Sequence, residues 1–137
     1  MIEILRKLEP RKFGARETIN YELDEVNEII FIEKGEYDIG YEVNKMEKFK
    51  LRMGDNSVIG AFNICFNKRQ IFIHRTHTEC FGFSIRKSNW KQIMDNFPEF
   101  FAILKRKVLH EYITKIRKPL MVFKDKDIIH YDQRADF

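Results

Sequence analysis

The sequence predicts a mainly β fold, an antiparallel β-roll or jelly-roll with a short helix before it and two helices after it. Three observations carry that expectation. Between residues 13 and 86 apolar and polar residues alternate in short runs broken by turn formers, the pattern of antiparallel strands. From Ser88 onward the apolar period changes to three and four, the helical spacing. A chain of 137 residues with 44% apolar content can also bury one core without staples.

Each element has its own signal. Ile2, Leu5 and Leu8 recur at helical spacing, and Pro10 closes that first helix. Residues 29–32 form a continuous apolar run that ends at the Gly35 turn. Tyr37, Ile39, Tyr41 and Val43 then alternate with Asp38, Gly40 and Glu42. Phe49, Leu51 and Met53 alternate with Lys50 and Arg52, and Phe81, Phe83 and Ile85 with Gly82, Ser84 and Arg86. Breaks at Gly35, Asn44-Lys45 and Gly54-Asp55-Asn56 cut the region into about eight strands, which suits a roll and not a parallel sheet.

Past the strands, Trp90, Ile93, Met94 and Phe97 recur at three and four, with Ser88 placed to cap the helix start. Pro98 suits the first turn of the next helix and Glu99 its positive end. Phe101, Leu104, Val108, Tyr112 and Ile116 make one apolar stripe, and Pro119 is expected to end that helix. The stripe needs a large partner, and the roll is the one available. The expected organisation is a domain over residues 1–118 and a C-terminal tail over 119–137, the tail charged at 124–127 and 132–136.

A net charge of +4 from 25 basic and 21 acidic residues is well mixed, which serves solubility. The basic residues at 105–107, with Lys115, Arg117 and Lys118, read as a solvated helix face, so no nucleic acid is expected as a partner. Cys65 and Cys80 form no CxxC pattern and are expected to be reduced, buried thiols. No apolar run approaches the ~20 residues of a membrane span, and the N-terminus has no signal-peptide core. Any membrane connection is expected only through a parent protein.

Catalytic chemistry has little to work with. His74, His77, Glu79 and Cys80 lie close together, but positions three apart on a strand face opposite sides, so a polar strand surface is expected and no metal. His110 and His130 are isolated, and Glu22, Asp24 and Glu25 read as a loop. Ser57, Ser84 and Ser88 carry no nucleophile signature. Trp90, Phe97, Phe100 and Phe101 read as helix packing. No catalytic residue is assigned, and the chain is expected not to be an enzyme.

Several short motifs occur in a telling order. They are Ile30-Phe31-Ile32-Glu33-Lys34-Gly35, then Gly54-Asp55, then Thr78-Glu79-Cys80, then Phe97-Pro98. Together they resemble the cyclic-nucleotide-binding domain of cyclic-nucleotide-gated and ether-à-go-go-type ion channels, over roughly residues 5–118. In binding members a phosphate cassette runs from Phe-Gly-Glu to Arg-Ser/Thr-Ala. Arg grips the phosphate as a planar cationic fork, the hydroxyl adds a bond, Glu holds the ribose, and helix N–H groups face the anion.

Aligned on Thr78-Glu79-Cys80 without a gap, Ile59-Gly60-Ala61 falls on the first motif and Gln70-Ile71-Phe72 on the second. The glycine is kept and the three polar grips are replaced. A slip of one residue would put Arg69 in the arginine position, at the cost of reversing the facing of that strand. The resemblance therefore implies ligand-facing positions at Gly60, Ala61, Phe62, Asn63, Arg69, Gln70 and Ile71, with lid contacts from Tyr112 and Ile116.

It also implies a regulatory domain on the cytoplasmic face of a membrane, modulating the gating of a parent channel. The alternative is a working cAMP or cGMP sensor in a channel or a soluble regulator such as a kinase regulatory subunit. No cofactor is expected, and cAMP or cGMP is at most a weak ligand. In the ether-à-go-go-type channels the cleft is filled by the chain's own C-terminal residues. Here Met121-Val122-Phe123 or residues 128–131 are apolar enough for that part. The partner implied is the rest of the channel, a tetramer, with the isolated domain a monomer.

Overall fold

The computed structural model describes the backbone of residues 2–135 and the side chains of residues 5–129. Helix α1 (Ile2–Lys7) leads into eight strands: β1 (Glu9–Phe13), β2 (Thr18–Asn20), β3 (Glu28–Lys34), β4 (Tyr37–Val43), β5 (Met46–Met53), β6 (Ser57–Ile59), β7 (Ile73–Thr76) and β8 (Cys80–Arg86). A short helix, α2 (Ala61–Cys65), lies between β6 and β7. Helices α3 (Lys87–Asn96) and α4 (Pro98–Tyr112) follow, then a π-helical turn at Ile113–Arg117 and α5 (Lys118–Ala135).

The strands form two four-stranded sheets, ordered β1-β8-β3-β6 and β2-β7-β4-β5. All the paired strands are antiparallel. This is the β-roll that the alternation predicts.

Strand alternation divides the apolar residues between two cores. Ile30 and Ile32 of β3 join Tyr37, Ile39, Tyr41 and Phe72 in the core between the sheets. Ile29, one residue out of phase, joins Ile85, Trp90, Ile93 and Met94 in a second core under α3. In β8 the side chain facing the inner core is the small Cys80, while Phe81 and Phe83 are 43% and 41% exposed. Gly82 is forced there by space, because a Cβ would strike the Phe31 carbonyl of the neighbouring strand.

Residues of three of the motifs, Gly35, Asp55, Thr78 and Cys80, meet at one end of the roll. Gly35 has φ 120°, and its amide donates to Asp55 Oδ1 at 2.9 Å. The next amide, of Glu36, donates to Thr78 Oγ1 at 3.0 Å. A Cβ on Gly35 would lie 2.7 Å from Cys80 Sγ, so the hairpin can seat on the start of β8 only as glycine.

The helices depart from expectation in three places. Ser88 is not the cap of α3. The helix starts at Lys87, whose amide donates to the Asn27 carbonyl at 2.7 Å, and Ser88 is exposed inside the first turn. A carbonyl from the loop before β3 thus does the work expected of a hydroxyl. Pro119 does not end the long helix either. It is the second residue of α5, directly after the π-helical turn. In unbroken α-helix its ring would meet the Lys115 carbonyl, and a widened turn at that point lets the helix pass the proline. The division expected at residues 118 and 119 therefore lies inside continuous helix. Finally, Phe97 and Phe100 are half exposed, whereas Trp90 is buried and Phe101 half-buried.

Candidate functional site

The segment from β6 through α2 to β7 forms one wall of a cleft that opens towards α4. Gly60 makes the turn into α2 with φ 91°, and a Cβ there would lie 2.9 Å from both the Glu28 carbonyl oxygen and Val26 Cγ1. Ala61 and Phe62 then open the helix, and Asn63 turns inward and is buried. The Asn63 side-chain amide donates to the Arg69 carbonyl at 3.0 Å, and Gln70 Nε2 donates to Asn63 Oδ1 at 3.4 Å. Main-chain bonds fix Gln70 as well: its amide donates to the Asp24 carbonyl at 3.0 Å, and its carbonyl accepts from Leu23 at 2.6 Å. A buried, neutral Asn–Gln pair occupies the position where the resemblance implied an arginine.

Arg69 points the other way. Its guanidinium donates to the Leu23 carbonyl and pairs with Glu25, both at 3.1 Å, with 59% of its side chain exposed. Ile71 is also on the outside, 39% exposed. Of the nine positions implied by the resemblance, Gly60, Ala61, Phe62, Asn63, Gln70, Tyr112 and Ile116 line one cavity of about 370 Å³, while Arg69 and Ile71 do not. Phe62 and Tyr112 stack across it with ring centroids 3.8 Å apart and planes within 6°. Burial pushes the Tyr112 hydroxyl up to about 12, with Arg117 opposing.

His74 corrects the expectation of a polar strand surface. It alternates with Ile73 and Arg75 on β7, shares the inward side of the strand with Phe72 and Thr76, and is only 4% exposed. It lines the same cavity. Burial lowers its pKa to about 4, with the Phe72 backbone opposing, so at neutral pH it is an uncharged imidazole. Its Nδ1 makes no well-formed hydrogen bond among the described residues. The signal was present in the sequence as the Phe72-x-His74-x-Thr76 alternation, which places His74 with Phe72.

Cations line the cavity only along α4 and the turn after it. Lys107, Glu111 and Lys115 follow one another at four-residue steps, all exposed at the rim. The lining residues of the cassette segment, Gly60, Ala61, Phe62, Asn63 and Gln70, are uncharged. Among the described residues no group of three His, Cys, Asp or Glu side chains is placed to hold a metal ion. Cys65 and Cys80 are free and buried, and burial raises both thiol pKa values.

The far end of the chain also reaches the roll. Leu120 of α5 is fully buried in the inner core. Further along the same helix, the Tyr41 hydroxyl donates to the Asp127 carboxylate, and Lys48 and Lys50 lie 3.7 Å from the same group. Met121, Val122 and Phe123 remain 36%, 53% and 39% exposed, and Ile128 and Ile129 are 40% and 57% exposed. The side chains of His130 and Tyr131 lie outside the described residues. Among the described side chains of the last helix, Leu120 is the one buried in the core, and Met121, Val122, Phe123, Ile128 and Ile129 are not.

No protein-family model and no curated protein sequence matches the chain. Solved structures do. A cAMP-bound PfPKA-R fragment (residues 141–441) superposes with a TM-score of 0.61 at 16% identity, over 66% of this chain and 32% of that one. The regulatory domain of Toxoplasma gondii PKA with cAMP gives 0.66 at 11% identity, over 79% of this chain and 41% of that one. The half-site-occupied form of the EAL enzyme Bd1971 gives 0.61 at 18% identity, over 78% of this chain and 96% of that one. This chain spans less than half the length of the two PKA structures. At these identities the likeness is one of fold. The chain shares with these structures a common fold, a β-roll with flanking helices.

Proposed function

We propose that this domain is a non-catalytic regulatory module of the cyclic-nucleotide-binding fold whose cleft no longer grips a cyclic nucleotide phosphate. The observation that carries the reading is the opposite facing of Gln70 and Arg69. The buried position of the cassette holds a neutral amide bonded to Asn63, and the neighbouring cation is tied outside to Glu25. Ala61 offers no carboxylate and Ile71 no hydroxyl. Each charge-assisted bond to the nucleotide that is missing, two to the phosphate and one to the ribose, removes ~1.5–3 kcal/mol, and three together weaken binding by several orders of magnitude.

The parent is then a membrane channel in whose gating the module takes part. The supports for this are the Thr78-Glu79-Cys80 strand start, the helix–Pro98–helix ending, and the contacts of α4 with α2 and of α5 with β4 and β5. A helix that packs on the roll in two alternative ways transmits its state by a population shift. No described helix is long and apolar enough to cross a membrane, so the spans are looked for in the rest of the gene.

Titration calorimetry with cAMP and cGMP tests the cleft. The expected outcome is no binding tighter than ~100 µM, since cassette losses of this size remove orders of magnitude. Micromolar binding of either nucleotide overturns the reading in favour of a working cyclic-nucleotide sensor. A parent gene without membrane spans overturns the channel assignment alone.

A further inference from the structure

We propose that the outer face of α4 and of the helix that follows it docks on an anionic membrane surface. Phe100 and Ile103 enter the headgroup layer, and Arg106, Lys107 and Lys118 meet the lipid phosphates and carboxylates. The inference goes beyond the reading of the cleft and does not depend on it.

Positive charge is concentrated here. Residues 105–118 hold six basic side chains and one acidic, while the rest of the chain holds 19 basic and 20 acidic. The net positive charge of the molecule is therefore that of this one stretch. On the roll, Arg11, Arg52, Arg69, Arg75 and Arg86 each meet a carboxylate within 3.1 Å. Arg106, Lys107, Lys115, Arg117 and Lys118 are exposed, and none forms an ion pair among the described residues. Glu111, the one acid of the stretch, pairs with none of them either.

Helix phase adds an apolar component. Phe101, Leu104, Tyr112 and Ile116 turn inward to the two cores. On the opposite side Phe100, Ile103, Lys107, His110 and Thr114 follow at steps of three and four, all exposed. Lys118 and Val122 extend the strip by further steps of four. Phe100 is 57% and Ile103 68% exposed. A solvated charged face accounts for the lysines and arginines, but it gives no role to two large apolar side chains adjacent on the same strip.

The mixture selects the partner. A nucleic acid is held by cations and polar groups along its phosphates, where Phe100 and Ile103 gain nothing. An acidic protein that wraps a basic helix needs that helix free on most sides. Here the inward stripe is committed to the cores, so one face is open. One open face that mixes apolar and cationic side chains suits a plane. Apolar side chains reach the acyl boundary of a bilayer, while lysine and arginine stems lie along it with their charges at the headgroups.

Vesicles test the proposal with the full chain. They consist of phosphatidylcholine alone or with ~30% phosphatidylserine, and co-sedimentation measures the bound protein. Binding at least about a hundredfold tighter to the anionic vesicles is expected, and ~0.5 M salt should remove most of that gain. Lys107→Gln with Lys118→Gln should weaken it about twentyfold, near fivefold for each cation. Phe100→Ser with Ile103→Ser should weaken it at least about tenfold. An environment-sensitive dye on Ile103→Cys, the native Cys65 and Cys80 being buried, should shift to the blue with anionic vesicles. Lys12 and Lys34 flank the exposed Phe81 on the first sheet, a competing surface. Lys12→Gln with Lys34→Gln should change binding by less than about twofold.

Equal binding to both kinds of vesicle overturns the proposal, as does silence towards both. A loss in the Lys12–Lys34 variant as large as in the Lys107–Lys118 variant moves the contact to the first sheet and overturns the assignment to α4. Polyuridylate bound tighter than the anionic vesicles, with no blue shift of the dye, puts a nucleic acid in place of the membrane. None of these outcomes bears on the cleft, whose reading falls only to micromolar binding of a cyclic nucleotide.

Discussion

The Tyr41 hydroxyl, from the middle of the second sheet, donates a hydrogen bond to the carboxylate of Asp127 on the C-terminal helix, 86 residues away in sequence. The bond holds Asp127 below the usual carboxylate range, aided by Lys50 and Lys48. Together with the buried Leu120 it ties α5 to the roll.

Loss of either tie should free the helix. Tyr41→Phe removes the hydrogen bond, and Asp127→Asn removes the charge that strengthens it and attracts Lys48 and Lys50; each should cost ~1–2 kcal/mol, as charge-assisted bonds do. Leu120→Ala leaves a cavity and should cost ~2–5 kcal/mol. Hydrogen exchange is the readout: amides of α5 should exchange faster in all three variants, while those of β3 and β8 change only by the global loss of stability. Unchanged α5 protection in Leu120→Ala would show that the helix stays on the roll without this anchor.

Acid should weaken the fold in two steps. His74 is held neutral, its folded pKa near 4 against an ordinary 6.5, so the unfolded chain binds the extra proton as pH falls between these values. Stability attributable to His74 is thus full above about pH 6.5 and declines towards pH 4, by at most roughly 3 kcal/mol. Asp127 acts lower. Its folded pKa is depressed, so its contribution is present above the ordinary carboxylate value near 4 and is lost as pH falls through the folded one. Urea titrations from pH 8 to pH 3 should show both steps in the wild type. His74→Phe should flatten the upper step and Asp127→Asn the lower.

Two glycines should behave oppositely. At Gly60 the backbone has positive φ and a Cβ would meet the Glu28 carbonyl, so Gly60→Ala should cost ~1–3 kcal/mol. At Gly54 a Cβ would have no neighbour within 4 Å, so Gly54→Ala should stay within ~0.5 kcal/mol of wild type. Denaturation midpoints at constant slope compare the two. Equal effects would mean that the turn before α2 relaxes freely.

The cassette should be restorable. Ala61→Glu, Gln70→Arg and Ile71→Thr together return the three grips at the positions that the gap-free alignment selects. The triple variant is expected to gain cyclic nucleotide binding by calorimetry where the wild type shows none. If the wild type binds instead and Arg69→Ala abolishes it, the slipped register describes the site.

Local and periodic features of this protein were legible in its amino-acid order. Alternation of apolar residues specified the β-roll, because a strand that buries one face must repeat every two residues. The change of period near Ser88, Pro98 at the head of α4 and the stripe ending at Tyr112 and Ile116 were legible for the same reason. Gly60 was singled out only by the resemblance, and its positive φ is a finding of the structure.

Features that depend on partners distant in sequence emerged only when the chain was folded. The cap of α3 comes from Asn27, in the loop before β3, and no local pattern announces it. A π-helical turn carries the helix through Pro119, which propensity alone reads as a stop. His74 read as polar surface because a histidine's type does not reveal its burial, and Arg69 faced away because Glu25 and the Leu23 carbonyl hold it there. Which apolar residue of the last helix enters the core, Leu120 and not Phe123, is a matter of helix phase against the roll. In that phase Leu120 lies in the inner core and the Tyr41 hydroxyl meets Asp127.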